Sequence, residues 1–146
     1  YREVVRHHGG AGVVALDDGG RVCLVRQYRV AIGRMTLEIP AGKLEPGEAG
    51  ASCAARELVE EAGLIAGRLE PLVCVLGSPG FTDEHTEVFL ARDLDQGDAS
   101  PDEGELVECV WVPLGDAVEA ALRGLIQDGK TVSGVLAANA LLASGR

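Results

Sequence analysis

GKLEPGEAGASCAARELVEEAGL, running from Gly42 to Leu64, decides how this chain is read. A Gly/Pro/Glu loop over residues 41–50 leads into a run whose spacing predicts a helix over 51–62, and Gly63 supplies the left-handed cap that ends it. Glu57, Glu60 and Glu61 lie three and four positions apart on that helix, so their carboxylates share one face and repel one another. They also sit near the helix C-terminus, where the macrodipole is already negative. A solvated acidic face with Arg56 as partial partner to Glu60 is one reading of such a run. The other is a site that gathers oxygen anions around a hard divalent cation such as Mg²⁺ or Mn²⁺.

The flanks favour the second reading. Gly42, five residues, Glu48, seven residues and then Arg56-Glu57-Leu58-x-Glu60-Glu61-x-Gly63-Leu64 resembles, position for position, the signature of the Nudix hydrolase family. Seven fixed polar or glycine letters match by chance on the order of once in 10⁸ placements. The resemblance implies a loop-helix-loop that holds metal and diphosphate. By position it makes Glu57 and Glu61 the main metal ligands, with Glu60 a further ligand or an outer contact and the Ala41 carbonyl another ligand. Arg56 would orient Glu48 and Glu60 rather than touch substrate.

Further residues resemble the ADP-ribose pyrophosphatase branch. Ser78-Pro79-Gly80-Phe81-Thr82-Asp83-Glu84 begins shortly after the motif, with Pro79 sixteen residues beyond Gly63. In that branch a glutamate of this mobile loop swings in as general base, and Glu84 holds the matching position. Upstream, Arg26-Gln27-Tyr28-Arg29, Gly33-Arg34 and Glu38-Ile39-Pro40-Ala41-Gly42 have the same character. Arg29 would contact a phosphate or the terminal ribose, since a guanidinium fork donates two hydrogen bonds at once. Glu38 would shape the site, and Arg34 is a further candidate for substrate contact. Tyr28 is either an adenine-stacking ring or a core tyrosine at a strand end. His85 beside Glu84 is the rival catalytic group, while His7 and His8 are expected to cap or flank a strand. Aromatic residues make up 3% of the chain, so the resemblance implies that an N-terminal segment or a partner subunit completes the adenine pocket.

The rest of the chain fits one domain, residues 1–146, of a size that buries about two-thirds of its unfolded surface. A hairpin is predicted over 11–16 and 22–28 around Asp17-Asp18-Gly19-Gly20, with strands over 36–39, 69–76, 85–91 and 107–112. An acidic Gly/Asp/Ser/Pro loop precedes the last of these, and closing helices are predicted over 116–123 and 131–143. This order gives an α+β fold or a mixed-sheet sandwich; the resemblance implies the sandwich, a mixed β-sheet held between helices.

Net charge is −10, and the Lys and Arg residues are scattered rather than striped, which argues against nucleic acid or an anionic membrane as partner. A metal ion can neutralise both protein carboxylates and substrate phosphates, so a small anionic substrate is compatible with that charge. The four cysteines lack zinc spacing, and Cys23, Cys74 and Cys109 fall in apolar runs, so they are expected to be reduced, in a cytoplasmic protein. No apolar stretch approaches the roughly 20 residues of a membrane span. The chain opens on Tyr1 rather than Met, and a leading segment is expected to be missing.

The resemblance implies metal-dependent hydrolysis of ADP-ribose to AMP and ribose 5-phosphate by a homodimer, to whose interface the apolar final helix is expected to contribute. Another nucleoside diphosphate derivative, such as a sugar nucleotide or a dinucleoside polyphosphate, is the alternative within the class. A non-catalytic ADP-ribose-binding module is a third reading, opposed by the presence of every motif carboxylate. A calcium-binding loop is excluded by pattern, because the acids lie on a helix.

Overall fold

The computed structural model describes residues 1–98 and 108–145. In chain order the elements are β1 (Gly10–Leu16), β2 (Arg21–Arg29), β3 (Arg34–Glu38), β4 (Ala41–Lys43), α1 (Gly50–Ala62), β5 (Leu64–Leu76), β6 (His85–Gln96), β7 (Glu108–Pro113), α2 (Leu114–Leu122) and α3 (Gly129–Ala143).

Every residue of β1, GAGVVAL, is buried. Successive side chains on a strand face opposite ways, so such a strand needs cover on both sides. Val14 and Leu16 enter one core with Leu24, Val88, Leu90, Val135 and Ala138. Ala11, Val13 and Ala15 enter a second with Cys53, Ala54, Leu58 and Phe89. One core lies under α1 and the other under α2 and α3, which makes the expected α/β/α sandwich.

Between the helices lies a mixed sheet in the order β3-β2-β1-β6-β5, with β4 also paired to β1 and β7 to β2. β1 runs parallel to β6 from Gly10↔Thr86 to Ala15↔Ala91. β1 and β2 pair at Ala15↔Cys23 and Leu16↔Val22, and then part. Below that point β1 takes β4 as its neighbour, from Gly12↔Ala41 to Gly10↔Lys43, while β2 takes β3, from Val25↔Glu38 to Arg29↔Arg34. The split leaves a wedge at one end of the sheet, and the candidate site lies in it.

Several expectations are amended. The loop over 41–50 opens with strand β4, and β5 begins at Leu64, with an irregularity between Pro71 and Val73. Val107 and the acidic loop before β7 lie outside the described residues. The final helix buries Thr131, Gly134, Val135 and Ala138 against the protein's own core. All four cysteines are free, and Cys74 and Cys109 are exposed rather than packed as small hydrophobes. Among the described residues no helix is long and apolar enough to cross a membrane.

Candidate active site

α1 turns Cys53, Ala54 and Leu58 to the core, and the helical period sets Glu57 and Glu61 toward the wedge. Gly63 ends the helix at φ 62°, donating its amide N–H back to Leu58 and Val59. The three carboxylates do not converge on one point. Arg56 Nη1 stands 2.7 Å from Glu57 and 2.9 Å from Glu60, and Nε is 3.0 Å from Glu48. One guanidinium thus relieves much of the repulsion expected on this face. Hydrogen bonding from Arg56 and the backbone N–H of Glu45 holds the Glu48 carboxyl down to about 2, and the same ion pairs raise Arg56. Glu61 is buried and accepts the Ala41 N–H at 2.9 Å.

These groups border a cavity of about 460 Å³ whose walls include Glu57, Glu61, Glu84, Ala41, Arg29 and Arg56. Glu60 leans on Arg56 and is not among the lining residues. Tyr28 and Arg34 also stay outside. Tyr28 is exposed, and Arg34 bonds Gln127 in a second, smaller depression. For Tyr28 the reason is the strand period, since Gln27 and Arg29 border the cavity and Tyr28 between them points away; Arg34, opposite Arg29 across the β2–β3 pair, is instead held by its hydrogen bond to Gln127.

Glu38 sits behind the cavity wall and organises its basic side. Its side chain is 3% exposed and lies 2.6 Å from Arg29 Nη2 and 2.5 Å from Lys130 Nζ. Burial alone would raise its carboxyl, but hydrogen bonds from Arg29 and the charge of Lys130 outweigh burial and hold it at about 2. Arg29 is raised in turn, chiefly by its hydrogen bond to Glu38. Asp128 caps α3 by accepting the Thr131 N–H, and the Thr131 hydroxyl oxygen accepts the Ile39 N–H at 2.9 Å, tying the helix start to the end of β3. That tie places Lys130 in the cavity wall. Sequence reasoning passed over Lys130, though a cation in the first turn of a helix opposes the macrodipole and is itself a signal.

The loop carrying Glu84 is fastened to the N-terminal segment. Val5 pairs in parallel with Thr82, and Arg6 forms a 2.9 Å ion pair with Asp83. His7, expected merely to flank a strand, lines the cavity beside Glu84. His85 packs its ring against Gly9 and is not among the lining residues.

The family model described as the NUDIX domain matches residues 6–133. The chain belongs to the Nudix family. Among its Nudix relatives, the ADP-ribose pyrophosphatase of Mycobacterium tuberculosis is 41% identical over 144 residues, covering 96% of this chain and 69% of that protein. The ADP-ribose pyrophosphatase of Bacillus subtilis is 42% identical over 132 residues, covering 89% and 71%. A solved structure, the crystal structure of ADP compounds hydrolase, superposes with a TM-score of 0.85 at 25% identity, over 94% of this chain and 74% of that one.

Nudix hydrolases work with a divalent cation. Among the described residues no three His, Cys, Asp or Glu side chains stand close enough to form a ready-made metal cluster, because Glu57 and Glu60 are drawn to Arg56. The donor chemistry nevertheless fits a hard cation. Glu57, Glu61, Glu84 and the Ala41 backbone border one cavity, and oxygen is what such ions require.

Proposed function

We propose that this Nudix hydrolase cleaves the diphosphate of ADP-ribose to AMP and ribose 5-phosphate. One observation carries the reading: acidic Glu57, Glu61 and Glu84 and basic Arg29 and Lys130 wall the same cavity. Identity of 41–42% over nearly the whole chain with two ADP-ribose pyrophosphatases supports the choice of substrate.

Arg29 and Lys130 receive phosphate oxygens of the substrate's diphosphate, with Glu38 fixing the guanidinium through Nε and Nη2. Glu84 accepts the proton of the attacking water. The water oxygen bonds to one phosphorus, and the bond from that phosphorus to the bridging oxygen breaks, so the bridge leaves with the other phosphate. Glu57, Glu61 and the Ala41 carbonyl would hold Mg²⁺ or Mn²⁺, which stabilises charge on the phosphate oxygens and favours ionisation of water. Glu48 and Arg56 set the orientation of Glu57, and Glu60 contributes from behind Arg56. We place the enzyme in the cytoplasm, where four free thiols suit a reducing compartment. For a homodimer, the exposed apolar residues Tyr28, Val30, Ile32 and Met35 offer more surface than α3.

A panel of ADP-ribose, a sugar nucleotide and a diadenosine polyphosphate, each incubated with Mg²⁺ or Mn²⁺, tests the assignment. AMP and ribose 5-phosphate should form fastest from ADP-ribose. Equal or faster cleavage of another member would remove ADP-ribose as the substrate.

A further inference from the structure

The N-terminal segment brings the imidazole of His7 to the cavity wall with its hydrogen bonding already assigned. The backbone around it is zipped to the loop that carries Glu84. Val5 N–H donates to the Phe81 carbonyl at 2.8 Å, and Asp83 N–H donates to the Val5 carbonyl at 3.4 Å. His7 N–H then donates to Asp83 Oδ1 at 2.8 Å, while Arg6 holds the other oxygen of Asp83. Asp83 is therefore committed to backbone and Arg6, and does not compete for the His7 ring.

On that ring, Nδ1 accepts the Gly9 N–H at 3.0 Å. A nitrogen that accepts in neutral imidazole carries no proton, so the proton resides on Nε2. Nε2 faces Glu84, 3.9 Å from Oε1. The Glu84 side chain is 46% exposed, and an N–H···O hydrogen bond of about 2.7–3.2 Å requires the two groups to draw closer than they stand.

We infer that His7 is a positioning residue for Glu84, its Nε2–H donating to one carboxylate oxygen so that the other is aimed into the cavity. The inference rests on Glu84 being the proton acceptor. It makes the N-terminal segment part of the catalytic apparatus, since that segment fixes both the loop and the ring that aims its carboxylate.

Two substitutions separate this role from simple support of the backbone. His7→Asn keeps an acceptor near Nδ1 for the Gly9 amide and lacks a donor at the Nε2 position. His7→Gln places an amide N–H near Nε2 and withdraws the acceptor from Gly9. The expected result is a loss of about tenfold or more in kcat for His7→Asn with little change in KM, and substantial retention in His7→Gln. The reverse order would overturn the inference, because it would mean that the ring serves Gly9 alone. Nitrogen-15 spectra of the histidine-labelled native protein should show the Nε2–H tautomer for His7; an Nδ1–H tautomer would overturn the inference whatever the variants do. Wild-type turnover in Glu84→Gln would defeat the reading of Glu84 and the inference built on it. Wild-type turnover in His7→Asn, with Glu84→Gln inactive, would defeat the His7 inference alone.

Discussion

Gly42 and Glu57 are packed so closely that a β-carbon on residue 42 would collide with Glu57 Oε1. The glycine makes room for the carboxylate, and the carboxylate sits where β4 meets α1. Gly42→Ala should push the end of Glu57 aside while leaving the backbone pairing of β4 intact. Turnover should fall by about 10–100-fold, the range typical for disturbing a ligand's support. The melting midpoint should move by roughly 4 °C or less, since about 1 kcal/mol shifts a domain of this size by 2–4 °C. Steady-state kinetics beside thermal denaturation checks both halves.

Glu38 gives the fold an acid-sensitive stabilisation. Its carboxyl is held at about 2 against an ordinary 4.5, so the folded state favours the ionised form. That stabilisation is fully present above pH 4.5 and is lost as pH falls through 2. A difference of this size is on the order of 3 kcal/mol. Glu38→Gln should therefore be markedly less stable than the native chain at pH 7, and the gap should narrow steadily on acidification below pH 4.5. Denaturant titrations at several pH values measure it, and a gap that widened in acid would contradict the assignment of the charge.

Arg56 serves Glu48, Glu57 and Glu60 from one guanidinium, using Nε and both terminal nitrogens. Lysine offers the charge without the fork. Arg56→Lys should remain folded and lose about 10–100-fold in activity, with higher divalent-cation concentrations needed for half-maximal rate. Kinetics as a function of Mn²⁺ would show the shift.

Lys130 has a side chain 16% exposed and its ammonium in the cavity wall. As a contact to the substrate's diphosphate, it should be missed on binding: Lys130→Gln should raise KM for ADP-ribose by about tenfold, the worth of roughly 1.4 kcal/mol, and change kcat less. An unaltered KM would leave Lys130 with its ion pairs to Glu38 and Asp128 alone.

The order of elements left an α+β fold or a mixed-sheet sandwich open, and the sandwich was legible through the Nudix resemblance of residues 42–64; the first hairpin and the helix were legible locally, from apolar strands around Asp-Asp-Gly-Gly and a helix ended by glycine. β4 was not, because Ala41-Gly42-Lys43 has little strand propensity and forms through its pairing with β1. Within the site, Glu57, Glu61, Glu84, Ala41 and Arg29, which the resemblance singled out, border one cavity. Tyr28 and Arg34 do not, and for Tyr28 the alternation in Arg26-Gln27-Tyr28-Arg29 already held the reason. His7 and Lys130 are brought in by contacts distant in sequence, the strap from Val5 to Phe81 and the link from Thr131 to Ile39. Neither link has a local signature. The pairing of Arg56 with Glu60 was visible from their spacing and its hold on Glu48 from the resemblance, while its contact to the neighbouring Glu57 was not foreseen.

Calorimetric titration of Mg²⁺ or Mn²⁺ into the chain, with a non-hydrolysable ADP-ribose analogue bound, probes the carboxylates of α1 most directly. The native chain should bind the cation saturably, and replacing Glu57 and Glu61 together by glutamine should abolish that binding while the fold persists. Absence of cation binding by the native chain, or equal binding by both proteins, would contradict the assignment of this cavity as a metal-dependent diphosphate hydrolase.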